Sequence, residues 1–149
     1  MNKYTQFLNK CELIDYNSSK KDICEELLKD KVAKKICRDL IHDDCIEDIL
    51  KSNEIKGYIA IANGEYIGFI FFKINYDTYY LSLIATKPKL GFPLGQILLT
   101  KMEEEGRINK AYNLQADAIP EAIHFYEKMN YEIKYQDEKT KEYLIEKKL

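Results

Sequence analysis

Tryptophan is absent from this chain of 149 residues, and there are only three prolines, six glycines and two histidines. No apolar run approaches the roughly 18–20 residues that would cross a bilayer. The opening Met1-Asn-Lys-Tyr-Thr-Gln-Phe7 lacks the apolar core of a signal peptide. Together these absences predict a soluble, cytoplasmic protein with no membrane partner. Charge of one sign is not in excess either: 23 Lys and Arg face 25 Asp and Glu, for a net −2. Nucleic-acid binding usually needs a basic face, so no nucleic-acid partner is expected. The lysine pairs at 20–21, 34–35 and 147–148 alternate with acidic residues and read as solvated faces. The four cysteines, Cys11, Cys24, Cys37 and Cys45, form no Cys-x-x-Cys pair and have only His42 nearby. That is not zinc-ligand spacing, so no metal is expected, and the thiols read as reduced and packed along helices.

What is present suits one folded domain over residues 1–149. The apolar fraction of 46% is ordinary for a globule, and no low-complexity linker or internal repeat divides the chain. Glu12-Leu-Ile-Asp-Tyr16 predicts a first strand. Ser18 or Ser19 can cap a helix with apolar positions Ile23, Leu27 and Leu28. Further helical stretches use Val32, Ile36, Leu40 and Ile41, then Ile46, Ile49 and Leu50.

The apolar pattern then changes from helical to strand-like. Tyr58–Ala62 and Tyr66–Phe72 flank Asn63-Gly64, a strong hairpin signal because a type I′ turn needs positive φ twice. Tyr79–Ala85 makes a third strand after a turn near Asn75 to Asp77. A helix from about Pro93 to Glu105 follows, with Leu94, Ile97, Leu98 and Met102 on one face and Gly106 as its stop. A short strand at Asn113–Ala116, a helix from Pro120 to Met129 and a hairpin of Tyr131–Tyr135 with Glu142–Ile145 complete the chain. This order predicts an α+β fold with a mixed, largely antiparallel twisted sheet flanked by helices.

Two segments carry chemistry. Ile84-Ala-Thr-Lys-Pro-Lys-Leu-Gly-Phe-Pro-Leu-Gly-Gln96 joins a strand to a helix through backbone able to hold an anion. Amides at a helix start are unpaired and carry the positive end of the helix dipole. Gly91 and Gly95 permit close approach that a Cβ would block. Pro93 has no N–H to give, but proline suits the first helical position, where the helix would not use that donor. The second segment, Ile119-Pro-Glu-Ala-Ile-His-Phe-Tyr-Glu-Lys-Met-Asn-Tyr131, is a short helix running into a strand. Asn130 stands at its C′ position, where it is next best to glycine for a left-handed conformation.

Both segments resemble the GNAT superfamily of N-acetyltransferases. The family's Gln/Arg-x-x-Gly-x-Gly/Ala pattern falls on Leu90-Gly-Phe-Pro-Leu-Gly95. Gly95 is kept, while Leu90 replaces Gln or Arg and Pro93 replaces Gly. The pattern Asn-x-x-Ala-x-x-Phe-Tyr-x-x-x-Gly-Phe falls on Ile119 to Tyr131. Ala122, Phe125 and Tyr126 match, and Ile119, Asn130 and Tyr131 depart. The resemblance covers nearly the whole chain, most specifically from Gly57 onward.

The resemblance implies acetyl-CoA as cosubstrate. Gly91, Phe92, Leu94, Gly95 and Gln96 would cradle its pyrophosphate. Ile84, Ala85 and Thr86 would present backbone to the pantetheine arm, and the Ile84 amide would face the thioester oxygen. One donor aimed at a developing oxyanion contributes roughly 3–4 kcal/mol. Tyr126, a phenol of ordinary pKa near 10, would act as general acid on the departing thiolate. The implied acceptor is a primary amine of a small molecule or peptide. Asp117, Ser82 and Tyr80 stand open as general bases, and His124 reads as a surface residue. Acceptor specificity would lie in Ser18 to Lys51 and the hairpins. Tyr76, Tyr79 and Tyr80 could line a pocket, although half-buried sheet tyrosines explain them as well. The edge-forming last hairpin leaves room for a homodimer. Leu90, Pro93 and Ile119 favour the alternative, a catalytically silent GNAT-like binding or regulatory module.

Overall fold

A computed structural model of the chain describes residues 7, 9–17 and 54–149. The three helical stretches expected between Ser18 and Lys51 lie outside the described residues, as do Cys24, Cys37 and Cys45. Seven strands form one sheet: β1 (Glu12–Asn17), β2 (Lys56–Ala62), β3 (Glu65–Asn75), β4 (Thr78–Thr86), β5 (Asn113–Ala118), β6 (Glu132–Gln136) and β7 (Tyr143–Lys148). Their spatial order is β1-β2-β3-β4-β5-β7-β6. The described helices are α1 (Leu94–Ile108) and α2 (Ile123–Lys128), with a 3-10 turn at Pro120–Ala122 before α2. No described helix is long and apolar enough to cross a membrane.

This is the expected α+β fold, with a mixed, largely antiparallel sheet. β1–β2, β2–β3, β5–β7 and β6–β7 run antiparallel, and β4–β5 is parallel. The chain divides into two compact units. One comprises Met1–Phe72 and Ser82–Thr100, the other Lys73–Leu81 and Lys101–Leu149.

In the first unit, β3 is buried from Ile67 through Phe72 without alternation. A strand covered on both faces needs such a continuous apolar run. Asn63 and Gly64 take φ of 52° and 77°, the twin left-handed residues that an Asn-Gly hairpin requires. Gly57 pairs with Phe71 across β2–β3 with no room for more: a Cβ there would lie 2.1 Å from the Ile70 carbonyl oxygen.

In the second unit, Leu114, Ala116, Met129, Tyr131 and Ile145 are buried. Gly106 does not stop α1. The helix runs on to Ile108 and ends in a Schellman motif, with Lys110 at φ 61° and the Ala111 amide donating to the Gly106 carbonyl at 2.8 Å. Gly106 is buried inside the helix, where the end of the Leu149 side chain packs 2.8 Å from the place a Cβ would take. The Tyr76–Tyr80 run does not form a common lining: Tyr76 is 97% exposed, while Tyr79 is buried and Tyr80 only partly so.

Candidate active site

Burial alternates strictly along β4. Tyr79, Leu81, Leu83 and Ala85 point into the core, so Tyr80, Ser82, Ile84 and Thr86 share the other, half-buried face. The parallel ladder to β5 runs from Thr78↔Asn113 to Leu81↔Ala116, whereas β4 continues to Thr86. Within the first unit the end of β4 is held close to β3. The Lys87 amide donates to the Ile67 carbonyl at 2.7 Å. A Cβ on Gly68 would stand 3.0 Å from the Ala85 carbonyl oxygen and 2.8 Å from Leu94 Cδ2. Ile84, Ala85, Thr86 and the start of α1 are thus packed by a position where only glycine fits.

The connecting loop turns through two left-handed residues, Lys89 (φ 59°) and Gly91 (φ 79°). The Phe92 ring stacks on Phe7 with centroids 6.3 Å apart. The Ile97 amide donates to the Pro93 carbonyl at 3.1 Å as the first intrahelical bond. Pro93 is therefore the N-cap instead of the first helical residue, and the helix begins one residue later than the sequence predicts. The Leu94 amide donates to the Phe92 carbonyl at 2.9 Å, so this expected phosphate donor is already engaged. The Gly95 amide takes part in neither bond.

The second unit holds Tyr126. Ile119 is extended (φ −66°, ψ 150°), as a residue before proline must be, and no side chain caps the turn that follows. After α2, Asn130 takes φ 68°, the Asn130 amide donates to the Glu127 carbonyl and the Tyr131 amide to the Tyr126 carbonyl, each at 3.0 Å. That is a second Schellman motif, with asparagine where it was expected. The Tyr126 ring lies edge-on between Phe125 (5.1 Å) and Tyr131 (5.7 Å). The residue is 5% exposed, and burial holds its phenol well above the ordinary tyrosine range. Such a phenol stays protonated at any physiological pH. His124 is exposed on the same helix, 3.6 Å from Glu127.

Two of the three candidate bases are brought together. The Tyr80 hydroxyl donates to the exposed Asp117 carboxylate. Burial, then the Asp117 hydrogen bond, push the Tyr80 phenol up, so it is a proton donor to Asp117 rather than a base itself. Ser82 sits two residues along the same face of β4.

One polar cluster was not foreseen. Lys147 Nζ on β7 donates to Glu103 Oε1 of α1 at 2.5 Å and to the Met129 carbonyl at 2.9 Å, and lies 5.7 Å from the Tyr131 ring centroid. The signal was available: Glu103 falls four residues after Leu99, on the apolar face of α1, where a charge needs a buried partner.

The sequence profile of the acetyltransferase (GNAT) family matches residues 21–131, and the chain belongs to that family. Acetyl transfer from acetyl-CoA is accordingly the class of reaction, and the family acts on amine acceptors. Among curated proteins none matches the sequence. Similar solved structures include the PaiA N-acetyltransferase from Thermoplasma acidophilum in complex with coenzyme A. It is 18% identical with TM-score 0.68, covering 93% of this chain and 99% of that one. The aminoglycoside 6′-N-acetyltransferase from Enterococcus faecium is 12% identical with TM-score 0.70, covering 92% and 96%. The ribosomal-protein-S18-alanine N-acetyltransferase from Escherichia coli is 15% identical with TM-score 0.66, covering 92% and 94%. At these identities the likeness is one of fold.

Proposed function

We propose that the chain transfers the acetyl group of acetyl-CoA to a primary amine of a small molecule or peptide by direct attack. The amine nitrogen adds to the thioester carbonyl carbon, the oxyanion collapses, and the C–S bond breaks with the electron pair leaving on sulfur. Ile84, Ala85 and Thr86 would meet the pantetheine arm, with the Ile84 amide at the thioester oxygen. Gly91, Phe92, Gly95 and Gln96 would take the pyrophosphate. Leu94 would contribute through position alone, because its amide bonds to Phe92.

Tyr126 is the general acid in this reading. The observation that carries it is a buried phenol on a short helix whose last turn closes in a Schellman motif. A thiol titrates near 8.5, below such a phenol, so Tyr126 would stabilise the thiolate first by hydrogen bonding and only then by proton transfer. Asp117, bonded by Tyr80, is the carboxylate best supported to accept the ammonium proton.

The Tyr126→Phe variant tests the assignment, with thiol release from acetyl-CoA followed against a polyamine, an aminoglycoside and an N-terminal alanyl peptide. A loss of roughly 10²–10⁴ in kcat with unchanged acetyl-CoA affinity is expected for a general acid. Unchanged turnover would reject it.

A second reading has an observation of its own. Pro93 has no amide hydrogen and the Leu94 amide is occupied, which leaves the loop two donors poorer. A GNAT-like binding or regulatory module with weak or no coenzyme binding would fit that loss. Calorimetric titration with acetyl-CoA separates the readings, since absence of both heat and thermal shift would leave only the module.

A further inference from the structure

Helix α2 has six residues and no side-chain N-cap, too little to hold a fixed place by its own hydrogen bonds. Yet the Tyr126 hydroxyl has to be aimed within a fraction of an ångström if it is to serve a departing sulfur. Beyond its Schellman bonds, the C-terminal turn is tied to the rest of the second unit by a largely buried ion pair. Lys147 Nζ donates at 2.9 Å to the Met129 carbonyl, and the Met129 amide in turn donates to the Tyr126 carbonyl at 3.0 Å. A cation there also meets the negative end of the helix dipole. The same ammonium is anchored by Glu103, 2.5 Å away, in the interior of the fifteen-residue α1. Its remaining side faces the ring of Tyr131, which packs edge-on against Tyr126.

Glu103 is 3% exposed and the Lys147 side chain 17%. A buried ion pair of this kind is no more stabilising than a well-packed apolar pair of similar volume, because both charges lose their hydration. Its distinctive property is direction: one nitrogen donates to Glu103 of α1 and to the Met129 carbonyl of the turn, with the Tyr131 ring beside it. The Tyr131 hydroxyl, buried and without a hydrogen-bond partner among the described residues, lies in the same cluster.

We infer that Glu103 and Lys147 are positioning residues, which hold the turn 126–131 and so aim the Tyr126 hydroxyl at the reacting sulfur. The inference rests on the proposed role of Tyr126. Neither residue touches substrate. Lys147 acts through the Met129 carbonyl and the Tyr131 ring, and Glu103 acts by fixing Lys147.

The test is the paired substitution Glu103→Leu with Lys147→Met, made in the native chain and again with Tyr126→Phe. Glu103→Gln, isosteric and still able to accept from Lys147, serves if the paired variant does not fold. Amide hydrogen exchange at residues 126–131 needs no acceptor, and should quicken at least tenfold in the paired variant and less in Glu103→Gln, with β2 and β3 unchanged. Thiol release from acetyl-CoA with spermidine should show kcat down at least tenfold and KM for acetyl-CoA within twofold. In the Tyr126→Phe background the same pair should change kcat less than twofold. Unchanged exchange, or an equal fall in kcat with and without the Tyr126 hydroxyl, overturns the inference while leaving Tyr126 as the acid. If Tyr126→Phe alone leaves kcat intact, the general-acid reading fails and the aiming role falls with it. Exchange then shows only whether the pair tethers the turn.

Discussion

Gly68→Ala puts the packing of the cosubstrate strand to a direct test. The added methyl would lie 2.8 Å from Leu94 Cδ2, 3.2 Å from Thr86 Cγ2 and 3.0 Å from the Ala85 carbonyl oxygen. Two of these are side-chain methyls that can yield by a few tenths of an ångström. The third is backbone, and it yields only if the end of β4 moves. Overfilling a packed core costs about 1–3 kcal/mol, and the lost flexibility of glycine in the unfolded chain returns about 0.4–1 kcal/mol. A net loss of about 1–2 kcal/mol follows, or roughly 3–6 °C in Tm for a chain of this size. The same shift displaces Ala85, Thr86 and the helix start, the groups proposed to receive the pantetheine and pyrophosphate. Calorimetry should therefore show acetyl-CoA Kd rising by about tenfold, the equivalent of 1.4 kcal/mol. Gly57→Ala is the control. Its methyl meets the Ile70 carbonyl at 2.1 Å, so stability should fall further, while the folded fraction keeps its Kd. A Gly68→Ala protein with lowered Tm and unaltered Kd would show that the end of β4 does not contact the cosubstrate.

Three further outcomes can be checked by unfolding measurements. Gly106→Ala adds a methyl whose nearest neighbour is the flexible end of Leu149, and a helix-interior alanine gains about 0.8–1 kcal/mol, so chemical denaturation should find the variant equal to or more stable than the native chain. Asn130→Ala forces a Cβ-bearing residue without local hydrogen bonds into φ 68° and should lose about 1 kcal/mol, whereas Asn130→Gly should lose nothing. Tyr131 is held above the ordinary tyrosine range by burial first and then by Glu103. The folded state therefore keeps that proton more tightly than the unfolded one, and its contribution is complete below about pH 10 and lost above it, by about 1.4 kcal/mol per pH unit. Tyr131→Phe should leave neutral-pH stability equal or higher, since it removes a buried hydroxyl with no partner among the described residues, and should move the alkaline unfolding midpoint upward.

Strands and turns were legible wherever local chemistry decides them. Asn63-Gly64 and Asn130 announced their left-handed conformations because few other residues tolerate them. The β3 run from Ile67 to Phe72 was legible as a strand, while its unbroken burial emerges only from the packing around it. Gly106 misled, since a glycine late in a helix reads as its stop, and only tertiary packing against Leu149 shows that it serves close approach instead. At the loop, residue types revealed that Pro93 could give no hydrogen, but not that Phe92 would claim the Leu94 amide, which depends on the turn geometry. The Tyr80–Asp117 bond joins residues 37 apart and the Lys147–Glu103 bond residues 44 apart. No local pattern encodes such a pairing.

β7 lies between β5 and β6, pairing with β5 from Tyr143 to Lys148 and with β6 from Tyr143 to Glu146. Both neighbours precede it in the chain, so the last of the three strands in sequence is the one that joins the other two. Lys147 arrives with that strand. The clasp on the Tyr126 turn thus depends on that inserted strand, and a chain trimmed before residue 143 would leave β5 with one bare edge, β6 with two, and no clasp.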